Sequence, residues 1–141
     1  MRMVPAITLD SARATLRAAI DHASEAGLQM SVAVVDAGGN LMAFERMEDA
    51  NLCSGEISRN KAYGALSFKA RTEDLGEHAE PGGACYGMET SIDSPLAFWS
   101  GGVPLEVDGI VVGAIGAGGG TPAEDAATAD AGVGEFRRIV S

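Results

Sequence analysis

Three groups of residues in this chain have the type and spacing to do chemistry: a lysine within reach of carboxylates, a glycine run, and a histidine set among glutamates. Lys61 stands in Ser58–Tyr63, SRNKAY, five residues after Glu56. It falls beside the apolar face that Ile57 and Leu66 mark out on a predicted helix, so a half-buried ammonium is expected. Such a group binds a carboxylate. With Glu56 or Asp36 as partner it would also form an acid–base pair able to move a proton on a small organic acid without a cofactor. An ion pair with Asp36, Glu56 or Asp49 is the structural alternative. Arg59 lies two positions from Lys61, so the two cannot share one helical stripe. It is a separate candidate for binding an anionic ligand.

The glycines close the segment Val103–Gly120, VPLEVDGIVVGAIGAGGG. Val103, Leu105 and Val107 alternate with Pro104, Glu106 and Asp108, the period of a half-buried strand. Asp108-Gly109 predicts a type I′ hairpin turn, which needs positive φ at both central positions. Ile110–Ile115 returns as a second strand, and Gly116, Gly118, Gly119 and Gly120 follow as a strand-to-helix loop. Glycine loses the most entropy on ordering, so this density predicts close approach of a ligand or a neighbouring subunit to the backbone. The loop amides could hold a carboxylate near the start of the last helix. A dinucleotide site is not expected, because no βαβ unit surrounds the run.

His78 sits between Glu77 and Glu80 and is the candidate for a haem iron or a loosely held metal ion. Cys53, Cys85, Tyr86 and Met88 could also coordinate haem iron. The Glu45–Glu48 and Glu77–Glu80 spacings arise readily by chance in so acidic a chain. There is no CxxCH for covalent haem attachment and no GxSxG nucleophile motif.

The elements that must position these groups follow from periodicity. Thr8–Ala26 reads as an amphipathic helix with Thr8 as N-cap and Gly27 past its end. Gln29–Asp36 and Leu41–Met47 read as a hairpin around Ala37–Asn40. Ser54–Lys69 is a second helix, and Thr72 is placed to cap a short third one. Residues 80–95 have no period. Leu96–Trp99 is a short strand candidate before the Gly101-Gly102 turn, and Glu124–Ile139 closes the chain as a helix. Paired strands flanked by helices predict an α+β fold.

Composition bounds the rest. The chain has 141 residues, 46% hydrophobic but only 5% aromatic, so the core must be built from Ala, Val, Ile and Leu. One domain spanning residues 1–141 is expected. The formal charge of −10 opposes binding to nucleic acid or anionic lipid. No apolar run is long enough to span a membrane, and the opening MRMVPAITLD lacks a signal-peptide core, which predicts a cytoplasmic protein with free thiols. An apolar strand such as Ile110–Ile115, with many small residues, predicts a homo-oligomer.

Three blocks together carry a family resemblance: SVAVVDAGGNLMAFERMED, the helix element RNKAYGA, and GGVPLEVDGIVVGAIGAGGGTPAED. The chain resembles the GlcG/HbpS-like family, also found at the end of PduO-type proteins, from its first helix to its last. The resemblance implies a five-stranded antiparallel sheet with packed helices, profilin-like in outline. It also implies a homo-oligomer that binds haem or another tetrapyrrole and assists haem breakdown. Lys61 falls on the lysine of the family's helix element, where a propionate is one ligand it could take. Thr121, at the mouth of the glycine loop, is the family-matching polar residue. One departure is visible: Ala117-Gly118 stands where the family usually has Val-Ser.

Overall fold

Helix α1, Leu9–Glu25, starts where Thr8 turns extended and its side chain accepts the Ser11 amide at 3.1 Å. Ala12, Leu16, Ala19, Ile20 and Ala23 then form a single buried stripe. Strands β1, Ser31–Asp36, and β2, Leu41–Arg46, make the first hairpin. Helices α2, Ser54–Phe68, and α3, Thr72–Ala79, follow, and a 3₁₀ turn covers Met88–Ser91. Strands β3, Gly102–Val107, and β4, Ile110–Gly118, form the second hairpin, and α4, Pro122–Val140, ends the chain. The structure is a computed structural model, and it describes residues 1–141.

The architecture is α+β with one antiparallel sheet in the order β2-β1-β4-β3. The Asp108-Gly109 turn has positive φ at both residues, 50° and 78°, as its sequence requires. The sheet has four strands, not five. Leu96–Trp99 does not join it, because its main chain faces α3 instead. The Thr72 hydroxyl donates to the Trp99 carbonyl at 2.5 Å, and a Cβ on Gly76 would lie 2.7 Å from the Phe98 carbonyl oxygen. Thr72 is therefore the first residue of α3 rather than its cap; Arg71 holds the cap position.

Helices cover both faces of the sheet. Leu16, Ile20, Val32, Val34, Leu105, Ile115, Val133 and Phe136 belong to the larger core, shared with α1 and α4. On the other face Val35 and Ala114 meet Ala62 and Ala65 of α2. Small side chains bring α2 unusually close. A Cβ on Gly116 would fall 1.9 Å from the Ser58 carbonyl oxygen, and one on Gly102 would fall 2.5 Å from the Lys61 carbonyl oxygen. Gly116 and Gly118 thus lie within β4, not in the loop, and serve the contact between strand and helix. That close contact draws the Lys61 side chain into the interior, where it is 1% exposed.

Candidate functional site

Lys61 is the largest fully buried side chain in the molecule. Its ammonium donates to Asp125 Oδ2 at 2.7 Å and to the Ala117 carbonyl at 2.9 Å. Asp125 is also buried, and its Oδ1 accepts the Gly120 amide at 2.9 Å. One carboxylate on the first turn of α4 therefore joins α2, the end of β4 and the glycine loop. The partner of Lys61 is not Glu56, Asp36 or Asp49, because those side chains lie on other parts of the surface. Burial pushes the Asp125 carboxyl above its ordinary range, against the opposing pull of Lys61 and the Gly120 amide.

The glycine loop turns at Gly119, where φ is 116°. Residues on this chain already occupy the Gly120 and Thr121 amides. Gly120 N–H donates to Asp125, Thr121 N–H donates to Glu124 Oε1 at 2.9 Å, and Glu124 N–H donates to the Thr121 hydroxyl at 3.2 Å. The last two form a capping box at the start of α4. At these two positions an incoming carboxylate would meet the Asp125 and Glu124 carboxylates instead of free amides. The Gly120 end of the loop thus cradles Asp125.

Over this corner opens a cleft of about 300 Å³. Lys61, Asp125, Gly119 and Gly120 line it on the polar side; Ile57, Trp99 and Pro122 form apolar wall, with Asn51, Cys53 and Ser54 at the start of α2. Trp99 and Cys53 are exposed. Ser54 is pinned below the cleft by its hydroxyl contacts, 2.7 Å to Ser31 and 2.6 Å to the Asn51 carbonyl.

The remaining candidates lie elsewhere. Glu56 and Arg59 line a separate depression of about 400 Å³ with Asn60, Tyr63 and Pro95. Asp36 sits in the first hairpin, where its Oδ1 accepts the Gly38 and Asn40 amides, each at 2.9 Å. Partial burial pushes the Asp36 carboxyl up, but these Asn40 and Gly38 hydrogen bonds outweigh it and hold it below the ordinary range. His78 is exposed on α3, away from the cleft lining, and no three His, Cys, Asp or Glu side chains converge as a metal group. Thr121 caps α4 at the edge of the loop. Of the expected residues, the cleft brings together Lys61, Cys53, Gly119 and Gly120. It adds Asp125 and Trp99, which residue-type reasoning passed over. Asp125 did leave a signal, as the closing residue of the GGGTPAED block, four positions after Thr121.

A family model described as "Haem degrading protein HbpS-like" matches residues 7–134. The chain belongs to the HbpS-like family. Among relatives, an uncharacterized 15.0 kDa protein in the dhaT-dhaS intergenic region of Citrobacter freundii is 32% identical, covering 98% of this chain and 97% of that one. The crystal structure of Klebsiella pneumoniae protein ORFY superimposes with a TM-score of 0.93 at 32% identity, covering 97% and 94% of the two chains. A PduOC:heme complex superimposes at 0.88 and 31% identity, covering 93% of this HbpS-like chain and 95% of that one. No helix is long and apolar enough to cross a membrane.

Proposed function

We propose that this HbpS-like protein binds haem or a related tetrapyrrole at the Lys61–Asp125 cleft, as a homo-oligomer, and assists haem breakdown. The observation that carries the reading is the match over 93% of the chain to a relative crystallised with heme, within a family described as haem-degrading. The residues present fit such a group. Ile57, Trp99 and Pro122 offer apolar surface to a flat macrocycle, and Cys53 offers a soft donor to iron. When bound, haem would supply iron for oxygen and redox chemistry. The protein's own contribution would be an apolar wall that excludes water and a compensated ion pair on the polar side of the cleft. The cleft is open on one side and small for a whole macrocycle, which favours a second copy covering the exposed face.

Haemin titration tests the reading. We expect a saturable Soret band at one haem per chain, weaker affinity for Trp99→Ala, and a shifted band for Cys53→Ala. Absence of a saturable band from the wild-type chain would reject it.

A further inference from the structure

We propose that the Lys61–Asp125 pair is also a cofactor-independent enolisation site for a small, neutral, flat ketone. The activity is separate from haem binding, although the two would share the cleft.

The first observation is where the ion pair lies. A buried lysine–carboxylate pair is a poor stabiliser compared with apolar residues of the same volume, since both charges lose their water. Here the pair forms the floor of an open cleft rather than the middle of either core. A buried charge pair that lines a cleft is a candidate reactive site.

The hydrogen-bond inventory points the same way. An ammonium has three N–H groups, and the protein uses two on Lys61, for Asp125 and Ala117. Asp125 takes one bond on each oxygen, from Gly120 on Oδ1 and Lys61 on Oδ2, which leaves lone pairs free on both. A proton acceptor and a hydrogen-bond donor therefore stand 2.7 Å apart on one face of the cleft. Enolisation needs this pairing, a base for the C–H beside a carbonyl and a donor for the carbonyl oxygen.

The lining selects the substrate class. The only cation and the only carboxylate in the cleft neutralise each other, and the Gly120 and Thr121 amides are occupied. A small ligand whose charge lay against the pair would gain no counter-charge. Trp99, Ile57 and Pro122 supply flat apolar surface, which suits an aryl or small cyclic ketone.

The step balances without a co-reactant. Asp125 takes the proton from the carbon beside the carbonyl, and the C–H electron pair becomes the C=C bond. The carbonyl π pair moves to oxygen, where the free N–H of Lys61 receives it. Proton return to carbon restores the ketone, with no net oxidation.

Acetophenone in D₂O is the probe, with loss of its methyl proton signal followed by NMR on the full chain. Wild type should exchange the methyl protons with saturation. Asp125→Asn should be at least about a hundredfold slower, the lower end of a general-base contribution. Trp99→Ala, which leaves the pair intact, should raise KM with little change in kcat. Wild-type exchange no faster than that of the same chain unfolded in urea would overturn the proposal, as would undiminished exchange by a folded Asp125→Asn. If Asp125→Asn does not fold, Trp99→Ala decides: a raised KM supports the site and unchanged kinetics reject it. Exchange by a chain that takes up no haemin would remove the haem reading and leave this one standing.

Discussion

Two aspartates in this molecule accept a glycine amide at 2.9 Å, Asp36 from Gly38 and Asp125 from Gly120. Their local chemistry is nearly the same, yet their environments drive them apart. Asp36 lies in a hairpin turn near solvent, and its Asn40 and Gly38 hydrogen bonds lower its pKa despite partial burial. Asp125 is buried beneath the end of β4, and desolvation raises its pKa despite Lys61. The same motif organises a turn in one place and anchors a buried ion pair in the other. Depth decides which.

The contrast can be broken most severely from below. Gly116→Val should have the largest effect of any single change, because its Cβ would meet the Ser58 carbonyl at 1.9 Å and force α2 off the sheet. We expect loss of cooperative unfolding by circular dichroism. Asp125→Ala comes next. It leaves the buried Lys61 ammonium without its counter-charge, so urea unfolding should show a loss of about 3–5 kcal/mol. The double variant Lys61→Met/Asp125→Leu sharpens this result. It should recover most of that stability while abolishing ketone exchange, because an apolar pair of similar volume avoids the desolvation cost. Recovery of exchange along with stability would assign the corner a purely structural role.

Smaller effects test the rims. Thr121→Ala removes one side of the capping box and should lower stability by about 1 kcal/mol, read as a shift in the urea midpoint. Asp36→Asn should cost about 1 kcal/mol or less near neutral pH, since the site is close to solvent and screened. The pH dependence of the two aspartates has opposite sign. The contribution of Asp36 is present above the ordinary aspartate range and is lost as pH falls through its lowered folded value. Asp125 holds its proton more tightly when folded, so its ionised form penalises the fold, and that penalty fades as pH falls through its raised value. Wild-type minus variant stability, measured across acid pH, should therefore slope in opposite directions for the two positions.

Much of the fold was readable locally. Thr8 capping α1, the Asp108-Gly109 turn and the period-2 run of β3 each depend on contacts within a few residues. Leu96–Trp99 was misleading because its apolar composition suits a strand, while its Trp99 carbonyl is taken by Thr72 of α3 and its Phe98 carbonyl packs against Gly76, partners no local pattern announces. The glycine run was half legible. Its density correctly indicated close backbone approach, but the approaching group is helix α2 at Gly116 and Gly118 and the carboxylate of Asp125 at Gly120. Lys61 was recognised as unusual from its place beside an apolar face. Its partner was not, since Asp125 is 64 residues away.

The sequence by itself determined the α+β class, the helix and hairpin positions, the family and the place of Lys61 beside an apolar helix face. These rest on periodicity, turn chemistry and motif blocks, all of which are short-range. Only the tertiary structure decided the four-strand sheet, the pairing of Lys61 with Asp125, and the separation of Glu56, Asp36 and His78 from the cleft. Each depends on which distant backbone or side-chain group arrives at a given depth. Burial sets both the cost of an unpaired charge and the pKa of a paired one.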